Sequence, residues 1–298
     1  MERIGELAGV ATAICWTTGA LLFERGIRQI GVLTVNFFKV VIAFLLLTIT
    51  AGIFRGMPLP LDATLHNWGY LLLSGLTGFV LADMFLFTAY GTVGPRVAML
   101  FMALSPPMTA GIAYLFLGES LGYKGLFGMC LVITGIFLTI FGRSNSFGFL
   151  KVSRDDRRGY IFAFIASIGQ SIGMNLTKIG VEGYNAVSGT QIRTLAAMAG
   201  FGLISLVFYR GKNIKDGIKN AEGMKFTCGG SVFGPFLGVT LSLVAIQRVS
   251  AGIVSTLIGL TPVMILVPEL LFFRKKIKLL EIIGAIVAVC GTALFFLI

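Results

Sequence analysis

Apolar residues in this chain come in long blocks separated by short polar connections. Each block approaches the about 20 mostly apolar residues that a helix needs to cross a bilayer. The pattern predicts ten helical spans, at 5–24, 32–54, 68–90, 95–117, 122–142, 158–180, 187–209, 226–247, 250–273 and 278–298. The connections are rich in Gly, Pro, Asn and charge, and the longest, 143–157 and 210–225, are basic and polar. None is long enough for a separate soluble domain. Met1–Glu6 is polar and leads directly into the first apolar block without a small-residue cleavage pattern, so this segment is expected to be a membrane helix and not a removable signal.

The blocks repeat. Sliding Ala89–Gly142 by 156 residues onto Ala245–Ile298 needs no gap. Leu104, Pro106 and Met108 fall on Leu260, Pro262 and Met264, and Gly128 and Gly135 fall on Gly284 and Gly291. Ser105 and Thr261 each put a hydroxyl just before the proline. Upstream the offset becomes 154, aligning Trp16, Gly19 and Gly26 with Gln170, Gly173 and Gly180, and Lys39 with Arg193. Spans one to five thus correspond to spans six to ten. Because five is odd, the second copy must enter the membrane from the opposite side, so the repeat is inverted. The expected fold is an all-α integral membrane protein of ten transmembrane helices in two inverted five-helix repeats, 1–142 and 158–298, joined by a basic linker, 143–157.

Composition points the same way. Of the 298 residues 56 % are hydrophobic and 12 % charged, with a mean hydropathy of +0.92. Soluble domains carry about 25 % charged residues. The net charge of +11 does not imply nucleic-acid binding, because the basic residues sit in connections, where topology signals belong. Seventeen Lys and Arg fall on the face of connections 1–2, 3–4, 5–6, 7–8 and 9–10, against five on the face of the termini. The positive-inside rule then places both termini outside the cytoplasm. Cys15, Cys130, Cys228 and Cys290 lie in apolar blocks without metal-binding or disulfide spacing, and the single histidine, His66, is in a connection. No metal or other cofactor is expected.

The run Leu104-Ser105-Pro106, Phe116-Leu117-Gly118-Glu119, Gly128, Gly135, echoed as Leu260-Thr261-Pro262, Gly284, Gly291, resembles the EamA family of the drug/metabolite transporter superfamily. The resemblance covers nearly the whole chain and implies a transporter fold; it specifies substrate poorly. Three features depart from it. Arg274-Lys275 replaces the Gly118-Glu119 pair, Glu269 stands inside span nine, and the charge count opposes the family's arrangement, which implies cytoplasmic termini.

Candidate chemistry lies in the polar residues inside spans. Pro106 and Pro262 are read as mid-helix prolines that free a backbone carbonyl, either lining a midplane cavity with Ser105 and Thr261 or only kinking the helices. Intramembrane charges are functional candidates by default. Lys39, Asp83, Glu24 and Arg96 share one leaflet, and a mixed cluster containing a Lys39–Asp83 pair is expected there; the alternative is snorkelling to the interface. Arg193, with Lys178 before it, lies in the other leaflet as the repeat mate of Lys39. These two basic positions are candidates for gating or for attracting an anionic substrate. Glu269 is a candidate proton carrier, or a neutral partner of Arg274 or Lys275. Trp16, Thr17, Thr18, Tyr90, Gln170, Ser171 and Asn175 are candidates for binding a small amphipathic solute, or for helix–helix hydrogen bonds. The seven-residue glycine spacings in spans five and ten predict close packing of those helices.

The expected function is transport of a small metabolite, an amino acid or related solute, by alternating access across the plasma membrane, with export one available direction. The expected partners are that solute and the lipid bilayer, with a proton or sodium as the open choice of coupling ion, and the chain working as monomer or homodimer. No phosphate-binding loop for a nucleotide and no intramembrane nucleophile–base pair is present, so neither an ATP-driven pump nor an enzyme is expected. A lipid flippase on the same fold is the alternative.

Overall fold

The computed structural model describes residues 2–117, 123–143, 154–246, 257, 260–271 and 278–296. Among these, every regular element is helical. Span one is Glu2–Ile30 and span two Val32–Arg55. Span three is composite: Leu65–Ser74, a π-helical turn Gly75–Leu81, then Ala82–Thr92. Span four is broken into Pro95–Met102 and Ser105–Leu117, and span five is Tyr123–Arg143. Spans six and seven are Arg154–Gly180 and Ala186–Tyr209. Span eight repeats the construction of span three: Ala221–Ser231, a π-helical turn Val232–Gly238, then Val239–Ile246. Span nine is described at Thr261–Met264 and Leu266–Leu271, and span ten is Leu279–Phe296. The connection 210–225 contains a short helix, Lys212–Lys219.

Six of these helices, Arg3–Ile30, Val32–Arg55, Leu65–Thr92, Pro95–Phe116, Asp155–Gly180 and Ala186–Tyr209, are long and apolar enough to cross a membrane. The fold is inverted in polarity relative to a soluble bundle. Phe54, Phe116 and Phe208 are 85 %, 81 % and 75 % exposed, while Thr12, Asn36, Ser74, Ser171 and Gln191 are fully buried. Water would penalise so much exposed apolar surface; acyl chains do not. The polar side chains face inward because hydrocarbon gives them no hydrogen-bond partner.

Local sequence explains where spans start and stop. Gly31 and Gly94 adopt φ of +79° and +85° between spans one and two and spans three and four, a region that L side chains rarely occupy. Thr64 and Asn67 form a reciprocal capping box at the start of span three, while Asn185 and Asn220 accept backbone N–H bonds at the starts of spans seven and eight.

The packing carries the inverted repeat into three dimensions. A side chain on Gly19 would begin 3.1 Å from the Gly234 backbone, so span one crosses span eight there. The repeat-equivalent crossing, of span six on span three, brings a Gly173 side-chain position to 2.7 Å from Gly78. Spans five and ten meet reciprocally: a Cβ on Gly284 would lie 2.6 Å from the Gly135 carbonyl oxygen, and one on Gly291 would lie 2.7 Å from that of Gly128. These are the glycines whose spacing predicts close packing. Spans two and seven also face each other, through Leu33 and Val40 against Ala197 and Phe201. The one–eight and six–three crossings are thus repeat-equivalent contacts.

One expectation needs correction. Pro106 and Pro262 are not in the interior of continuous helices. Span four stops at Met102 and restarts at Ser105, with Ala103 and Leu104 making tight bonds to Leu100 and Phe101. Span nine restarts at Thr261, after Leu260 bonds back to Leu257. Both prolines therefore occupy the first turn of a helix, where the missing N–H leaves no bond unmade. The break, and not a proline kink, exposes backbone groups in these two spans.

Candidate functional site

Lys39 and Arg193 each sit about two turns inside the first residue of their helices, spans two and seven. The spans run antiparallel, so the two cations enter from opposite leaflets. Neither snorkels outward: Lys39 and Arg193 are both 7 % exposed. Lys39 Nζ donates to Asp83 Oδ2 at 2.5 Å and lies 4.3 Å from the centre of the Phe87 ring. Asp83 follows the π-helical turn of span three, and Asn36 Nδ2 bonds its backbone carbonyl at 3.4 Å. The expected Lys39–Asp83 pair is therefore formed.

Arg193 is held differently. Its guanidinium lies over the Phe79 ring at 4.3 Å. Span seven is pressed against span three at Gly75, where any side chain would strike Ala196 and the Arg193 backbone. One turn further on, the Gly78 side-chain position is 3.2 Å from Arg193 Nη2 and 3.7 Å from Gln170 Oε1. The Gly173 backbone of span six is 3.4 Å from the same point, so the close crossing of spans three and six brings a cation and an amide together beside Gly78. Nε and Nη2 of Arg193 are buried and have no hydrogen-bond partner among the described residues. Thr17 Oγ1, Asn36 Oδ1 and Asn175 Oδ1 are also buried without a partner among them.

The other members of the expected one-leaflet cluster are paired elsewhere. Arg28 Nη2 donates to Glu24 at 2.8 Å within span one. Arg96 Nη2 donates to Glu281 at 2.7 Å, joining the start of span four to the start of span ten. Glu281 was not among the residues singled out from the sequence. Its position just inside span ten, as an acid in an apolar block, is the signal that marks it.

The polar candidates divide. Trp16, partly buried in span one, lays its indole against Gly238 of span eight. Gln170, its repeat mate, has its Oε1 3.7 Å from the Gly78 side-chain position, close to Arg193. Ser171 of span six donates to the Ser105 carbonyl at 3.1 Å, with the two hydroxyl oxygens 3.3 Å apart. Asn175 donates to the Thr109 carbonyl at 3.1 Å. Ser171 and Asn175 thus serve the helix–helix alternative, tying span six to the Ser105 and Thr109 carbonyls of span four. Thr261 and Pro262 are buried at the equivalent break in span nine. Thr18 back-bonds to Ile14 in its own helix, whereas the neighbouring Thr17 is fully inward. Tyr90 is packed in the core, stacked on Phe87 with its hydroxyl on Met99 sulfur at 3.0 Å. The side chains of Pro106 and Glu269 lie outside the described residues, as do Glu119, Arg274 and Lys275. Among the described residues no group of three or more His, Cys, Asp or Glu is arranged to hold a metal.

Two repeated, apolar helical halves packed around buried charges define a membrane transporter of the inverted-repeat class. The EamA-like transporter family matches the chain twice, at residues 3–141 and 157–297. The chain belongs to that family, within the drug/metabolite transporter superfamily. A solved structure described only as "Crystal structure of protein" is 18 % identical, with a TM-score of 0.61 and coverage of 98 % of this chain and 96 % of that one. At that identity the likeness concerns the fold. No curated protein matches the chain.

Proposed function

We propose that this transporter moves a small metabolite, an amino acid or related solute, by alternating access, facilitatively or coupled to a proton or sodium. The observation that carries this reading is the buried polar region between the halves: Lys39–Asp83 on one side, Arg193 and Gln170 on the other. Charge at this depth is expensive unless it serves a pathway. Repeat symmetry supports rocking of one half against the other about this region. On the same reading the Trp16 indole offers a stacking surface to the solute and the unpartnered Thr17 hydroxyl a hydrogen bond. By the positive-inside count both termini face away from the cytoplasm. This prediction is checked by labelling a terminal tag in intact cells.

The direct test is counterflow in proteoliposomes with a panel of amino acids and other small metabolites, with and without a pH gradient. Saturable movement of at least one soluble solute is expected. Scrambling of lipid without movement of any soluble solute overturns the reading in favour of a flippase. Proton coupling is tested by Asp83→Asn and Glu269→Gln. Gradient-driven uptake that survives in both variants removes these acids as carriers.

A further inference from the structure

The two halves are unequal in charge at equivalent places. Lys39 of the first half meets Asp83. Arg193 is its mate in the second half, and the repeat register puts Val239 where the first half has Asp83. The second half supplies a cation without the matching carboxylate. The structure agrees: Arg193 is 7 % exposed, and its Nε and Nη2 have no hydrogen-bond partner among the described residues. Asp83 accepts a hydrogen bond from Lys39 at 2.5 Å and acts on Arg193 only through space, without a hydrogen bond to its Nε or Nη2.

From this we infer that the solute carries a carboxylate, and that the unpartnered edge of Arg193 receives it. The inference rests on the transporter reading above. Stacking on Phe79 occupies the face of the guanidinium and leaves its edge free. That edge presents paired N–H donors whose spacing suits a planar carboxylate. Glycine at 78 keeps a side chain from covering this edge, because one there would begin 3.2 Å from Nη2. Gln170 Oε1, 3.7 Å from the same point, is placed to accept from a hydroxyl or amino group beside the carboxylate.

The test compares acids with their own amides. Succinate, lactate, alanine and phenylalanine, each beside its amide, compete for counterflow in proteoliposomes, with anionic-lipid scrambling measured in the same vesicles. In the native protein at least one acid is expected to compete at least tenfold better than its amide. Arg193→Gln is expected to reduce that preference at least tenfold, and Arg193→Lys to keep part of it. A purely structural role for Arg193 lowers total transport while leaving the acid-to-amide ratio unchanged, and that result overturns the inference. So does a native protein that moves amides as readily as acids, which leaves the transporter reading standing. Scrambling of anionic lipid without soluble transport overturns both. If Arg193→Gln does not fold, the native ratio and Arg193→Lys decide the matter.

Discussion

An ammonium and a carboxylate 2.5 Å apart inside an apolar helix pack stand or fall together. Removing one partner of a buried pair leaves an uncompensated charge and costs about 3–5 kcal/mol, while replacing both by apolar residues of similar volume is often neutral. Asp83→Asn is therefore expected to lower the melting temperature of the protein in nanodiscs clearly. Lys39→Met combined with Asp83→Leu is expected to recover most of the loss. Transport separates structure from function: the double variant is expected to stay inactive although folded. Recovery of transport along with stability would show that the pair only holds spans two and three together.

At the scale of elements, helix contacts depend on glycines that admit a neighbour's backbone. Gly284→Val places its Cβ where only 2.6 Å separates it from the Gly135 carbonyl oxygen. It is expected to lower the melting temperature sharply, whereas Gly69→Ala, with nothing within 4 Å of the new Cβ, should be neutral or slightly stabilising. Equal effects of the two would contradict the packing of spans five and ten. The connection between spans two and three makes a second element-scale prediction. Asp62 is bound by Arg55, and Tyr184 from the connection between spans six and seven donates to it at 2.9 Å. The Arg55 guanidinium holds the Asp62 carboxyl below its usual range against an opposing effect of desolvation, and the Tyr184 hydroxyl adds a lesser lowering. A depressed carboxyl stabilises above its unfolded pKa and loses that contribution as pH falls through the folded one. The clasp should therefore remain closed at neutral pH and open only in acid below about pH 4, read as faster proteolysis of the 56–64 connection. Opening already near pH 6 would contradict it.

These elements were legible in the sequence to different degrees, for physical reasons. Blocks of apolar residues and the glycine register report directly on spans and their crossings, because both are local or repeated. The Lys39–Asp83 pair was readable because intramembrane charge is rare enough to demand a partner. The Arg96–Glu281 pair was not read, since its members are 185 positions apart and the repeat offers no equivalent. The π-helical turns of spans three and eight leave no mark in hydropathy. The breaks before Ser105 and Thr261 were mistaken for mid-helix prolines, because Pro in a first turn and Pro in a kink look alike until the preceding hydrogen bonds are known.

For the molecule as a whole, alternating access needs contacts between the halves that hold one face shut and can be broken. Arg96–Glu281 is such a contact. It ties the starts of spans four and ten at 2.7 Å, with side chains only 11 % and 4 % exposed, on the face of connections 3–4 and 9–10. Leu100, one turn further along span four on the face of Arg96, is 1 % exposed. Consider Leu100→Cys in a background where Cys15, Cys130, Cys228 and Cys290 are replaced by alanine. A hydrophilic maleimide should label it slowly while the pair is intact, because the reagent must pass the closed face. Glu281→Gln removes the charge that holds Arg96 and is expected to raise the labelling rate at least severalfold, as the population shifts toward the form open on that face. Arg96→Glu combined with Glu281→Arg restores opposite charges across the same gap and should return labelling toward its slow value. Local unfolding by Glu281→Gln would also speed labelling, but the reversed pair then distinguishes the two, since recovery requires attraction between these two positions. Labelling that is indifferent to Glu281→Gln would mean that this buried pair fastens two helices and does not gate the pathway.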